Sequence, residues 1–205
     1  MLTHLSKNGE KYMERNSLNS QGYKLESQIR EAYGRVTYTQ TCHDKFINRV
    51  VRLNDKIKIS QIILSAITTS GFVVAIFSDN KVASILGTLI SLVLLILNTY
   101  AKNYNLVENA QEHQFASDLL WKIREEYVSL LTDFEILEVE EIMRKRDELQ
   151  ERTAIVYSKS PRTDSRSYAA AQKAFKTEEE QTFSEKEIDI MLPNSIRRCN
   201  RTMQS

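Results

Sequence analysis

The chain has little that punctuates or cross-links a fold: five glycines, two prolines and two cysteines in 205 residues. So few turn formers exclude collagen-like and glycine-linker proteins and disfavour an all-β fold, which needs turns at short intervals. Two cysteines, Cys42 and Cys199, supply neither a disulfide framework nor a cysteine-based zinc site, and they fit a reducing, cytosolic setting for the polar parts. A surplus of either charge is also missing. The 28 basic and 27 acidic residues leave a net charge of +1, without the basic excess of a general nucleic-acid binder, so direct sequence-specific binding to nucleic acid is not expected. The most informative absence is local: none of those charges falls in the windows 59–78 and 82–101. The mean hydropathy of −0.40 therefore averages two unlike kinds of sequence.

A hydrocarbon core about 30 Å thick needs roughly 20 helical residues, and each window supplies that length with no ionisable side chain. The second, VASILGTLISLVLLILNTYA, is the more apolar; the first, ISQIILSAITTSGFVVAIFS, carries Ser, Thr or Gln at seven positions. More than fifty residues precede Ile59 and no cleavage pattern follows a short apolar core, so neither reads as a secretory signal. Only Asp79, Asn80 and Lys81 separate them, with Ser78 placed to cap, and so short a connection predicts an antiparallel transmembrane hairpin. Lys45, Arg49, Arg52, Lys56 and Lys58 before the first window and Lys102 after the second, against Lys81 at the tip, predict both termini on the cytoplasmic side. The competing reading is a buried helical hairpin in a soluble core.

Within the windows the polar residues follow helical spacing. Ser84, Thr88, Ser91 and Asn98, with Gly87 beside them, share one face of the second; Gln61, Ser65, Thr68, Thr69 and Phe72 share one face of the first. Such stripes serve close helix packing, or they line an aqueous path in an oligomer, since two helices from one chain enclose no channel. No ring of carboxylates or arginines stands within the windows to impose strong ion selectivity.

Outside them, residues 1–20 read as a mobile tail and 21–58 as an amphipathic cytoplasmic helix with Leu25, Ile29, Ala32, Val36, Phe46, Val50, Leu53 and Ile57 on one face. Its Arg30, Arg35, Arg49 and Arg52 suit a solvated or lipid-headgroup-contacting face better than a specific phosphate site. Over 102–157 a heptad seam runs through Leu106, His113, Leu120, Tyr127 and Phe134, joined by Asn109, Ala116, Ile123, Leu130 and Leu137. A seam implies a partner: the N-terminal helix of the same chain or a neighbouring subunit, which makes it a candidate oligomer seam. His113 and Asn109 read as a register-setting polar pair and not a metal site, because no further His or Cys lies at ligand spacing. Glu138–Tyr157 is a densely charged helix, Pro161 marks a loop, and 158–205 holds short helices over 168–176 and from the Ser184/Glu187 capping box to Met191, with a frayed end. The predicted fold class is an all-α membrane protein: a two-helix transmembrane hairpin extended by long cytoplasmic helices, with a small helical C-terminal region.

No nucleophile elbow, phosphate-cradling glycine loop, HExxH, CxxC pair or paired-carboxylate constellation is present, so neither an enzyme nor a cofactor is expected. Cys42 and His43 are adjacent, but helical neighbours point about 100° apart, which disfavours a thiolate–imidazole couple.

The run GRVTYTQTCHDKFINRVVRLNDKIKISQIILSAITTSGF, the second window, LLWKIREEYVSLLTDF and FSEKEIDIMLPNSIRR occur in an order that resembles the SLATT family across roughly residues 20–198. SAITTSG and EIDIMLP are its most telling pieces. That family comprises two-transmembrane effector domains found beside nucleotide-polymerase and nucleotide-sensing domains in bacterial conflict systems. The resemblance implies an antiviral, abortive-infection effector that homo-oligomerises in the inner membrane and permeabilises it. Its partner would be a neighbour-encoded nucleotidyltransferase or reverse transcriptase, or that enzyme's nucleotide product. It carries over no ligand-binding residues. The competing function is a non-conducting membrane anchor or scaffold for a partner polymerase, held through the charged helix and the C-terminal segment.

Overall fold

The computed structural model describes residues 2–77, 81–180, 182–193 and 197; of these, the side chains of 2–20, 72–77 and 83 are not described. The Ser78 cap, the Asp79–Asn80 turn, the side chain of Phe72 and the terminal residues 198–205 lie outside the described set.

Among the described residues every element is a helix: α1 (Leu2–Phe77), α2 (Lys81–Asn103), α3 (Leu106–Thr132), α4 (Val139–Lys159), α5 (Ser165–Lys176) and α6 (Glu185–Met191). With no proline before Pro161, nothing in the first 77 residues removes a backbone donor, and α1 runs unbroken for 76 residues, or about 114 Å at 1.5 Å per residue. Residues 2–20, predicted as a tail, are thus the first turns of this helix. Its own net amphipathicity is slight because its two halves face different surroundings.

α2 returns along the C-terminal half of α1, and α3 continues along the N-terminal half. The joint between them is Asn105, whose φ of 40° is left-handed, a conformation that asparagine tolerates better than most residues. Its side-chain amide donates to Glu108 at 2.8 Å, fixing the first turn of α3. The predicted run of helix from 102 is therefore divided, with α2 reaching Asn103 and α3 starting afresh.

The bundle packs α1, α3 and α4 around one core. Leu25, Ile29, Ala32 and Val36 of α1 meet Leu120, Ile123, Tyr127 and Leu130 of α3, while Ile142, Leu149 and Val156 of α4, spaced by seven, complete it. A smaller cluster of Val50, Ile57, Leu106 and Ala110, flanked by Phe46 and Ala101, continues the packing toward the charge-free windows. Polar ties hold the layers in register: Arg152 donates both arms to Glu126 at 2.5 and 2.7 Å between α4 and α3, and Arg146 donates to Gln28 of α1. α5 begins at Asp164, whose carboxylate caps the helix by accepting from the Ser167 N–H at 2.8 Å. α6 opens with the reciprocal Ser184/Glu187 capping box.

Candidate functional site

Two regions hold chemistry that the core does not consume. The first is the pair formed by α2 and the C-terminal half of α1. Its outer surface is apolar and uncovered: Ile62 is 69% exposed and Leu95 61%, with Ile59, Ile63, Ile67, Ile85, Leu89 and Leu92 also open. Among the described residues one helical stretch, Ser84–Thr132, holds an 18-residue window apolar enough to cross a membrane, with hydropathy 1.9 and none of that window buried.

The polar stripes lie beside the contact between the two helices more than in it. Gly87, Ile90, Leu94, Leu97 and Ala101 are half-buried on α2, and Gln61, Leu64 and Thr68 on the facing stretch of α1, so these form the interface. Ser65, Thr69, Ser84, Thr88, Ser91 and Asn98 are exposed. At about 100° per residue, Ser84, Thr88 and Ser91 sit roughly a quarter turn from the face that meets α1. Most of the hydroxyls are satisfied locally. Thr68 donates to the Leu64 carbonyl, Thr69 to Ser65, Thr88 to Ser84 and Ser91 to Gly87, all at 2.8–2.9 Å. Across the pair, Gln61 Nε2 donates to Asn98 Oδ1 at 2.8 Å.

The second region is a polar layer in the bundle below that pair. His43 and His113 are buried and meet Nδ1 to Nδ1 at 2.8 Å, and the Phe46 ring stacks on His113 with centroids 3.8 Å apart. One imidazole must donate and the other accept, so the two rings carry opposite tautomers. Burial, reinforced by the neighbouring His113, lowers the pKa of His43 to about 4. Burial likewise lowers His113, against the pull of Asp164. Next to the pair, the Ser117 hydroxyl donates to Asp44 at 2.5 Å, yet burial still holds the Asp44 carboxyl above its ordinary value. Arg49 forms a two-armed bridge to Asp164; burial pushes that carboxyl up, but the bonds from Arg49 and Ser167 outweigh it and bring its pKa to about 2.

The heptad residues are therefore engaged within the chain. Leu106, His113, Ala116, Leu120, Ile123, Tyr127 and Leu130 are all buried, and Phe134, past the end of α3, is packed against the main core. Of the two partners that the seam admits, the structure supplies α1 of the same chain. His113 finds His43, seventy positions away, and not Asn109. Lys45 and Arg49, part of the basic collar, are tied to Glu180 and Asp164. Burial pushes the Cys42 thiol up to about 11, which leaves it a poor nucleophile beside its histidine neighbour. Among the described residues no group of three or more His, Cys, Asp or Glu side chains is placed to hold a metal.

The fold defines an all-helical protein with a bare apolar helix pair set on a packed bundle. Residues 25–187 match the SMODS and SLOG-associating 2TM effector domain family 4, and the chain belongs to that family. No curated protein and no solved structure matches the chain.

Proposed function

We propose that the chain is a membrane effector of a bacterial conflict system: α2 and residues 59–78 of α1 span the inner membrane as a hairpin, both termini face the cytoplasm, and triggered oligomerisation permeabilises the bilayer. Family membership supports the effector role, and its association with nucleotide-polymerase systems supports a neighbour-encoded nucleotidyltransferase or reverse transcriptase, or its product, as the trigger. The observation that carries the reading is the uncovered apolar surface of the pair, interrupted by the line Ser84, Thr88 and Ser91 outside the intrachain contact. An apolar surface of that extent is unfavourable in water and at home in lipid. A polar line that lies exposed beside the contact with α1, with Thr88 and Ser91 bonded along their own helix, suits a second copy or a water-filled path. Because α1 fills the α3 seam, subunits would associate through the spans.

The test is membrane potential in cells producing the chain with its genomic neighbour. Depolarisation is expected, and Thr88→Leu with Ser91→Leu should abolish it while the protein still reaches the membrane. Depolarisation unchanged in that variant would remove the polar line from the mechanism. Electrically silent membranes together with stoichiometric capture of the neighbouring enzyme would replace the effector by the scaffold.

A further inference from the structure

We propose that one flank of the helix pair, where Arg52 and Lys56 of α1 stand beside Tyr100 and Tyr104 at the end of α2, is a binding site for the headgroup of an anionic phospholipid. The proposal rests on the membrane reading and deepens it by naming the lipid that the hairpin selects. The level of the site follows from the pairing of the two helices. Gln61 bonds to Asn98, and Ile57 and Ala101 belong to one cluster, so the turn of α1 around Lys56 lies beside the end of α2 from Tyr100 to Tyr104. That is the level at which the charge-free windows stop and a headgroup layer would begin.

Helical rotation sets the flank. Ile57, Gln61 and Leu64 turn toward α2, and Leu94, Leu97 and Ala101 toward α1. At about 100° per residue, the residue before each of these points to one side of the contact and the residue after it to the other. In an antiparallel pair of right-handed helices the two sides match. Lys56, before Ile57, and Tyr100, before Ala101, therefore share a flank; Arg52 lies one turn before Lys56, and the Tyr104 ring leans on Tyr100 with centroids 4.4 Å apart. Lys58 and Lys102, which follow Ile57 and Ala101, fall on the opposite flank. The flanks also differ within the apolar windows. Ile63, Ile67 and Val93, all exposed, continue the first, whereas Ser65, Thr69, Ser84, Thr88 and Ser91 lie on the second. The first flank is thus cationic at its base and apolar above, the profile of a phospholipid; the second carries the polar line.

Four cations run down this side of α1 at helical spacing: Lys45, Arg49, Arg52 and Lys56. The two farther from the pair are already matched, Lys45 by Glu180 at 2.6 Å and Arg49 by Asp164 at the start of α5. The two nearer are exposed and, among the described residues, form no ion pair or hydrogen bond. Asp55 stands at the back of α1 and pairs with neither, and Glu108 accepts from Asn105. Tyr100 and Tyr104 are 37% and 61% exposed, and their hydroxyls have no bond among the described residues. A tyrosine whose ring meets apolar surface while its hydroxyl stays wet is suited to the membrane–water boundary. Two unmatched cations and two free hydroxyls around one groove attract a phosphodiester and donate to its oxygens. No carboxylate lies between Arg52 and Lys56 to answer the amine of a zwitterionic headgroup, so the site favours a lipid with net negative charge.

The full chain is released from mixed micelles holding equal phosphatidylglycerol and phosphatidylcholine, and native mass spectrometry counts the lipids it retains. Retention of phosphatidylglycerol is expected to exceed that of phosphatidylcholine by about tenfold, the effect of two cations at a headgroup reduced for their exposure. Arg52→Gln/Lys56→Gln should lose the preference and Tyr100→Phe/Tyr104→Phe should weaken it. Lys58→Gln/Lys102→Gln, which removes the same charge from the opposite flank, should keep it. Thermal melting followed at Trp121, the one tryptophan of the chain, confirms that each variant is folded. Four results overturn the proposal: equal retention of the two lipids, a preference that survives Arg52→Gln/Lys56→Gln, an equal loss in both charge-removing variants, or displacement of the lipid by millimolar inorganic phosphate, which would make this a site for free anions. Flotation with phosphatidylcholine vesicles separates the two readings. A chain that floats without preferring phosphatidylglycerol loses only this inference, whereas one that stays behind loses the hairpin as well.

Discussion

Mild acid should loosen the helical bundle, and the His43–His113 pair sets the size of the effect. In the folded chain one proton added to the pair preserves the 2.8 Å bond, with the protonated ring as donor, whereas a second sets two donors face to face. Burial already disfavours the first, which places His43 at about 4 and lowers His113 as well. In the unfolded chain both titrate near 6.5. Between these values the unfolded state holds more protons than the folded one, so the stabilisation is complete above about pH 6.5 and is lost as pH falls toward 4. For His43 alone, a gap of this width is worth about 2 kcal/mol at pH 5. In a chain of this length that lowers the melting midpoint by roughly 4–8 °C.

Other groups near the pair titrate elsewhere or in the opposite sense. Asp164, at about 2, withdraws stability only below the ordinary carboxylate range. Asp44, raised by burial, gains protons more readily when folded and so offsets a part of the histidine loss as pH falls. Trp121 fluorescence, followed through thermal melts of the full chain in nanodiscs from about pH 7 to pH 5, measures the net effect. A flat midpoint over that range refutes the reasoning, and so does an equal decline in a His43→Leu/His113→Phe variant, which has no histidine left to titrate in the layer.

Three further substitutions test the packing. Gly34 sits inside α1 with nothing within 4 Å of an added Cβ, so Gly34→Ala should stabilise the bundle by up to about 1 kcal/mol through helix propensity; a lower melting midpoint would contradict this. Leu120 is fully buried between α1 and α3, and Leu120→Ala should cost about 2–5 kcal/mol, read as a lower midpoint of the Trp121 transition. Asp164→Ala removes the α5 cap and the Arg49 bridge together, at a cost of about 1–2 kcal/mol, nearly all from the cap because the bridge is partly exposed. Faster amide exchange at Ser167 and along α5 should reveal it, while unchanged exchange would show that α5 is held by other contacts.

What the sequence made legible and what it hid divide along a physical line. Local periodicity is written into neighbouring residues: the charge-free stretch that becomes the exposed face of α2, the spacing of seven that buries Leu120 and Tyr127, and the Ser184/Glu187 box that starts α6 all follow from positions within a few turns. The three-dimensional sites do not. His43 and His113 carry no mutual signal across seventy residues, and a heptad made Asn109 look like the natural companion. The open basic flank depends on α5, because Asp164 and Glu180 remove Lys45 and Arg49 from a collar that is continuous in the sequence. One trace of the flank was visible in advance: Lys45, Arg49, Arg52 and Lys56 recur at helical spacing along α1.

The arrangement of the helices limits how the bundle communicates with the apolar pair. Only two described covalent routes connect them, the uninterrupted backbone of α1 and the joint at Asn105. α1 carries Val36 in the main core, His43 in the buried layer and Gln61 at the bond to Asn98, all on one rod without a proline or a break. A continuous helix resists bending but transmits rotation and axial shift, so a change in the bundle reaches residues 59–71 with little loss. α3 is different, because the left-handed turn at Asn105 uncouples its direction from that of α2. Movement of α1 against α3 would then be felt first at the Phe46, His43 and His113 stack, where one pair of rings is tilted and the other stacked face to face. Changes in that stack should therefore accompany any coupling between the two halves, and Asn105→Pro, whose ring forbids the left-handed φ of 40°, should force the joint to rearrange and alter α2 without disturbing the core around Leu120.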